Sequence, residues 1–306
     1  MKAVIDLGSN TFNLLIAQLE NKQLVVYENI EIAVKIGKGG LINNIITAVA
    51  IERSINTLAD FKLIIQKYKI DKITALATSA IRNASNGIEI KNKIKDLFDI
   101  DIEIIDGNKE AELIYWGALH SFDFPNENVL VMDIGGGSVE FIIGNKNNIL
   151  WKKSFDLGAV RLFELFKPNN PFSENDIDKI KDHFVSKTST LIENIEKYNP
   201  QYLIGTAGSF DTIKDIAHNE LKLNLNSKNK NVTKITKVDF EKLKALFLKL
   251  TINERLKLKG MVDYRTEYIP IASIMIDLVL NKLNINTLHC SSFSMKEGVF
   301  YENKLY

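Results

Sequence analysis

The sequence predicts an α/β protein built from two similar halves with a cleft between them. A short pattern occurs twice, each half runs as three strands followed by alternating helices and strands, and a turn-rich stretch separates the halves. The repeated pattern reads V-I-D-L-G-S-N-T at Val4–Thr11 and V-M-D-I-G-G-G-S at Val131–Ser138. In both copies apolar residues lead into an aspartate, then one apolar residue, a glycine and a small hydroxyl residue. A second apolar run follows each, Phe12–Ala17 and Val139–Ile143. Strand, tight glycine turn and strand is the reading, with Asp6 and Asp133 at the mouths of the turns. Asp6 to Asp133 and Gly8 to Gly135 span the same 127 residues, so the motif is duplicated in register. Two such turns facing each other surround a phosphate with backbone N–H groups and bring two carboxylates for a cation.

The elements follow in order. After the first strand pair (Lys2–Glu20), a third strand is expected near Leu24–Ile30. Ile45, Val49, Ile55, Leu58, Phe61 and Ile65 give the stretch Ile45–Tyr68 a helical apolar face. A strand at Lys72–Ser79 ends in A-T-S-A-I-R-N, a charged helix covers Ile88–Phe98, and a strand at Ile100–Ile105 leads to a helix over Asn108–Leu119. His120–Asn128, with Pro125, is the candidate boundary, so the expected domains are residues 1–124 and 125–306. The second half restarts with Val129–Gly144 and a strand near Leu150–Leu157. Ser173 followed by Asp176 starts a helix expected to run to Tyr198. Tyr202–Gly205 is a short strand opening into G-T-A-G-S and a helix from Phe210. Leu221–Thr236, rich in Asn and Lys, reads as a surface loop. Helices fill Val238–Leu250 and Arg265–Leu283, where Pro270 kinks the second or marks its true first turn. A strand at Thr287–Phe293 and a last helix close the chain.

Composition excludes several classes. A length of 306 residues accommodates two domains, and 45% apolar with 25% charged residues is a globular balance rather than a disordered one. A net charge of +1 favours neither nucleic acid nor an anionic membrane as partner. Cys290 is the only cysteine, so no intrachain disulfide forms, and its setting in T-L-H-C-S-S-F reads as a buried strand. No stretch is long and apolar enough to span a membrane, and Asp6 interrupts the apolar start of the chain, so a soluble cytoplasmic protein without a signal peptide is expected. His120, His183, His218 and His289 are scattered without zinc-ligand spacing. Neither a G-x-x-x-x-G-K-[ST] loop nor a G-x-S-x-G elbow occurs.

The duplicated turns, A-T-S-A-I-R-N, the helix start G-N-K-E-A-E-L-I-Y-W-G and the C-terminal S-F-S-M-K-E-G-V together resemble the exopolyphosphatase and guanosine pentaphosphate phosphohydrolase (Ppx/GppA) family. The resemblance covers essentially the whole chain. It implies two ribonuclease H-like domains of the actin and hexokinase kind. D-I-G-G-G-S-V-E (Asp133–Glu140) is its most telling piece, because the family's second phosphate loop also ends in a glutamate. The resemblance implies that Glu110, the acid directly before Ala111, is the general base, and that Arg82 is a phosphate clamp. Arg265 matches the arginine that opens the family's C-terminal R-A-D helix, although Thr266 and Glu267 follow it here. Departures stand at Asn13 and Lys296, where relatives carry arginine, at Lys109 in place of the first paired glutamate, and at Glu112 in place of an arginine. Two fewer arginines and one more carboxylate near the cleft are expected to weaken its grip on a polyanion.

Chemistry assigns the remaining roles. Phosphoryl transfer to water needs phosphate charge neutralised, a cation, and a base on the attacking water. Gly8, Ser9 and Asn10 in one turn and Gly135, Gly136, Gly137 and Ser138 in the other offer backbone N–H groups. Asp133, Glu140 and Asp6 are the candidate Mg²⁺ ligands. The G-T-A-G-S loop, with Gly208 at a helix start, resembles the nucleotide-side loop of the larger fold, which implies that it lines the cleft or binds a further phosphate. The expected activity is hydrolysis of the terminal phosphoanhydride of polyphosphate or guanosine pentaphosphate, with Mg²⁺, no nucleic-acid or membrane partner, and a homodimer as a possible assembly. Two alternatives stand beside it, an ATP-dependent small-molecule kinase of the same larger fold and a non-enzymatic polyphosphate or nucleotide sensor.

Overall fold

In the computed structural model, residues 1–121, 126–223 and 231–302 are described. The apolar runs around the two Asp-x-Gly turns form hairpins, and each hairpin seeds a sheet. In the first, β1 (Lys2–Leu7) and β2 (Phe12–Glu20) pair antiparallel, and β3 (Gln23–Ile32) adds to the β2 edge. Helix α1 (Ala48–Lys67) then carries the chain over to β4 (Ile73–Ala77), parallel to β1. The short helix α2 (Ser79–Asn83) and helix α3 (Gly87–Phe98) precede β5 (Ile102–Ile104), which is parallel to β4. The strand order is β3-β2-β1-β4-β5. Helix α4 (Gly107–Ser121) ends the half.

The second sheet repeats this order. Strands β6 (Val129–Ile134), β7 (Val139–Gly144) and β8 (Ile149–Phe155) form the antiparallel meander. Helices α5 (Ala159–Phe166), α6 (Glu174–Lys187) and α7 (Ser189–Tyr198) lead to β9 (Tyr202–Thr206), parallel to β6. Helix α8 (Gly208–Glu220) and strand β10 (Val232–Thr236) come next. Helices α9 (Lys237–Lys249), α10 (Ile252–Arg255) and α11 (Ile269–Leu283) precede β11 (Thr287–Ser291) and α12 (Met295–Tyr301). Read from its outer edge, the order β8-β7-β6-β9-β11 matches the first sheet, with β10 added antiparallel beyond β11. The duplication therefore extends from the turn motif to the topology, and the fold is the actin-like α/β fold. Both central strands, β1 and β6, are buried on both faces, which fits their continuous apolar sequences.

Helices α4 and α12 join the halves. A single apolar cluster takes Val4 and Leu15 from the first sheet, Val131 and Ile142 from the second, and Ile114 and Phe300 from these helices. The two helices cross backbone to backbone. A Cβ on Gly117 would lie 2.1 Å from the Ser294 carbonyl oxygen, and one on Gly298 would lie 1.8 Å from that of Leu113.

Several expectations need correction. Leu58, Phe61 and Ile65 of the expected face are buried, but Ile45 and Val49 are exposed, and Ala50, Ser54 and Thr57 complete the buried face of α1. The helix expected from Ser173 to Tyr198 is two helices. The Thr188 hydroxyl donates to the Phe184 carbonyl, closing the first before the second begins. The Leu221–Thr236 loop is a strand over Val232–Thr236, rich in β-branched residues of which Val232, Thr233 and Ile235 are buried, while 224–230 lie outside the described residues. Arg265 ends a one-turn 3₁₀ helix, and α11 begins at Ile269 with Pro270 in its first turn, where a missing N–H costs nothing. Helix α5 has no counterpart among the expected elements. The expected domain boundary at 124/125 falls outside the described residues.

Candidate active site

The two turns close identically, by Gly8 N–H donating to Thr11 O at 3.1 Å and Gly135 N–H donating to Ser138 O at 3.0 Å. Each is braced from behind. Gly37 N–H donates to Ser9 O and Lys35 N–H to Asn10 O behind the first turn. The first turn of α5 donates Ala159 N–H to Gly135 O and Val160 and Arg161 N–H to Gly136 O behind the second. The turns also meet each other, since a Cβ on Gly137 would lie 2.7 Å from Ser9 Oγ and 2.5 Å from Ser79 Oγ. Glycine is required here because the other half approaches the loop backbone directly.

Between the turns runs a cleft of roughly 1070 Å³, open to solvent. Gly8, Ser9 and Asn10 line one wall, and Gly135, Gly136, Gly137 and Ser138 the other. Asp6, Asp133, Glu110, Gly208 and Arg265 reach the same space, whereas Arg82 and Glu140 stand outside it. Register explains the carboxylates. Asp6 faces Asn13 across the β1–β2 ladder as Asp133 faces Glu140 across β6–β7, so the two pairs are equivalent positions of the duplication.

Glu110 sits in the first turn of α4. The Asp106 carboxylate starts that helix by accepting from Asn108 N–H and Lys109 N–H, both at 2.8 Å. Glu110 is 8% exposed, and its Oε2 accepts from Arg82 Nη1 at 2.9 Å. Arg82 Nη1 also donates to Ile105 O, so in this arrangement the arginine orients the carboxylate. Burial raises the Glu110 carboxyl to about 7, outweighing Arg82. Asp6 is pushed up to about 7 by burial, against Lys296 and the Asn13 amide, which donates to Asp6 Oδ2 at 3.1 Å. Asp133 is raised by burial although Thr206 and Ser294 hydroxyls both donate to its Oδ2 at 2.6 Å. Glu140 is raised well above the usual range by burial and by the charges of Glu110 and Asp133, and its Oε1 accepts from Ser154 at 2.6 Å.

Charge balance bears on the cation. Among the described residues, Asp6, Glu31, Glu110, Asp133 and Asp211 line the cleft against only Arg265 and Lys296. Among the described residues no three acidic, histidine or cysteine side chains converge on one point. The donor set therefore fits Mg²⁺ held by one or two carboxylates, with water and substrate oxygens completing its shell, rather than an all-protein cage.

Sequence reasoning missed Thr206, Ser294, Glu31 and Asp211. The hydroxyls carry little signal because each acts from a different element, β9 and the start of α12. Two of the departures matter less to the cleft than expected. Lys109 pairs with Glu302, and Glu112 with Lys152 at 2.7 Å, both away from the cleft lining. Asn13 and Lys296 do line it.

The family described as "Ppx/GppA phosphatase family" matches residues 15–306. The chain belongs to that family. A bifunctional 3-dehydroquinate synthase/phosphatase of Fusobacterium nucleatum is 34% identical over 92% of this chain, which spans 43% of that relative's length. The crystal structure of an exopolyphosphatase from Cytophaga hutchinsonii is 37% identical, covering 98% of this chain and 96% of that one, at a TM-score of 0.94. An Aquifex aeolicus Ppx/GppA family member shares the fold at 23% identity and a TM-score of 0.78, over 97% of this chain and 95% of its own. Among the described residues of this Ppx/GppA chain, no helix is long and apolar enough to cross a membrane.

Proposed function

We propose that this Ppx/GppA chain is a hydrolase that removes the terminal phosphate of inorganic polyphosphate, of guanosine pentaphosphate, or of both. The observation that carries the reading is the placement of Glu110 in the same cleft onto which both Asp-x-Gly turns open. The terminal phosphoryl group lies between the turns, where the N–H groups of Ser9–Asn10 and Gly136–Gly137 meet its oxygens, those of Gly8 and Gly135 being spent on closing the turns. Glu110 accepts the proton of the attacking water. Its burial lifts its basicity toward neutral pH, where a general base is most effective. Arg82 holds that carboxylate in place, and Arg265 and Lys296 supply the cleft's cationic charge.

Asp6 and Asp133, with Glu140 behind Asp133, are the residues that would hold Mg²⁺. When bound, the ion supplies charge neutralisation for phosphate oxygens that the acidic cleft would otherwise repel. The kinase reading needs an adenosine pocket around Gly205–Ser209. The Arg265 guanidinium lies over that loop, with Nη2 at 1.9 Å from where a Gly208 Cβ would stand, and this favours hydrolysis. A sensor has no use for a buried carboxylate in that cleft.

Phosphate release assayed in parallel on tripolyphosphate, guanosine pentaphosphate and ATP, with and without chelator, tests the proposal. Mg²⁺-dependent release from either of the first two is expected. Release from ATP alone, or from none of the three, would contradict it.

A further inference from the structure

The anion facing Arg265 is part of the protein itself. Arg265 lies flat against the Gly208 backbone, with Nη1 donating to Thr212 Oγ1 at 3.2 Å and its guanidinium carbon 5.0 Å from the Tyr264 ring centre. Its Nη2 is paired with Glu31 Oε1, and the Tyr264 hydroxyl donates to the same oxygen at 3.0 Å. Glu31 belongs to β3, in the first half, while Tyr264 and Arg265 belong to the second. Opposite Glu31 on the β2–β3 ladder stands Asn13, whose amide is committed to Asp6. The charged partner of Glu31 therefore comes from across the cleft.

We propose that Glu31 is a specificity-determining residue of the phosphate cleft, a built-in carboxylate that occupies Arg265 until a substrate phosphate displaces it. The inference rests on reading the cleft as a phosphate site. Three features support displacement rather than a fixed structural pair. Glu31 lines the cleft itself, its side chain keeps 32% of its exposure, and it sits near the end of an edge strand. Its charge also reaches Asp6 at the mouth of the first turn. An anion approaching Arg265 must replace this carboxylate, so Glu31 sets a threshold of negative charge for entry. Weakly charged anions stay out, and a chain of phosphates, each bringing charge, gets in. The same pair ties β3 to the segment before α11 across the cleft, a contact that substrate breaks. Asn10 Nδ2, donating to Tyr264 O at 3.2 Å, runs beside it.

Tripolyphosphate binding by calorimetry tests the proposal, in a Glu110→Gln background so that turnover does not consume the probe. Adding Glu31→Gln, which keeps the shape and removes the charge, should tighten binding about fivefold at low salt. The gain should shrink as salt rises and vanish when Arg265→Gln is also present. Glu31→Asp, which keeps the charge on a shorter arm, should give a smaller gain. Equal or weaker binding by the Glu31→Gln protein, or a gain that survives loss of Arg265, would overturn the proposal. If neither background binds tripolyphosphate at all, the reading of the cleft as a phosphate site has failed and Glu31 falls with it. Equal binding by both removes Glu31 alone.

Discussion

The basicity of Glu110 depends on burial more than on any partner. Desolvation lifts its carboxyl to about 7 while Arg82 pulls the other way, so its protonation, together with that of Asp6, should bear on the rate near neutrality. A general base works only when deprotonated. The initial rate should therefore climb as pH rises through about 7 and level off above it, and a profile flat from pH 5 to pH 8 would contradict the assignment. Much of this site was legible in the chain. Asp6, Asp133 and the glycines stood out because the duplication doubles a weak signal, and Glu110 and Arg82 through the resemblance. What was not legible came from long-range folding. Ser294 reaches Asp133 from 161 residues away, and Glu31 meets Arg265 from 234 residues away. No local pattern encodes such partners.

At the level of elements, glycines at two places, the α4–α12 crossing and the start of α8, carry separate burdens. Gly117 on α4 and Gly298 on α12 let the helices cross at backbone contact, which positions Glu110 and Ser294 in one cleft. Alanine is the better helix former by about 1 kcal/mol. Yet a Cβ at Gly298 would sit 1.8 Å from a backbone carbonyl that cannot swing aside. Overpacking of that kind costs about 1–3 kcal/mol, so the clash wins. Gly298→Ala should lower the urea midpoint, and an unchanged or higher midpoint would show that the crossing has slack. Gly208 differs, because what its Cβ would meet is the flexible end of Arg265. Gly208→Ala should therefore leave the urea midpoint close to wild type while raising KM several-fold by displacing the guanidinium. Element reading failed in two kinds of place. Thr188 breaks a helix through a side-chain bond that periodicity does not register, and β10 hides in a polar, Asn- and Lys-rich stretch because its pattern spans only Val232–Thr236.

For the whole molecule, the site costs a set of buried carboxylates shared by the two halves of the chain. Asp6, raised from 3.8 to about 7, and Glu110, raised from 4.5 to about 7, keep their protons in the folded state after the unfolded chain has lost them. The folded state then binds more protons than the unfolded one between about pH 4 and pH 7, so stability falls as pH rises across that window. Thermal melts should show a higher midpoint at pH 5 than at pH 7.5, with Mg²⁺ recovering part of the difference at the higher pH. A midpoint that rises steadily over that range would contradict the charge balance described here. Closure is a property of the whole chain as well. Gly39 N–H donates to Glu164 at 2.5 Å and Arg161 donates to Leu41 O at 3.2 Å on one flank, while Glu31 meets Arg265 on the other. In the proposed reading these contacts frame one buried base, Glu110, between two phosphate turns. The most direct test compares wild-type and Glu110→Gln protein for phosphate release from tripolyphosphate with Mg²⁺, alongside tripolyphosphate binding. Turnover should fall by about two to four orders of magnitude while binding persists. Near-normal release by the variant would leave Glu110 as a helix-end carboxylate and contradict the account.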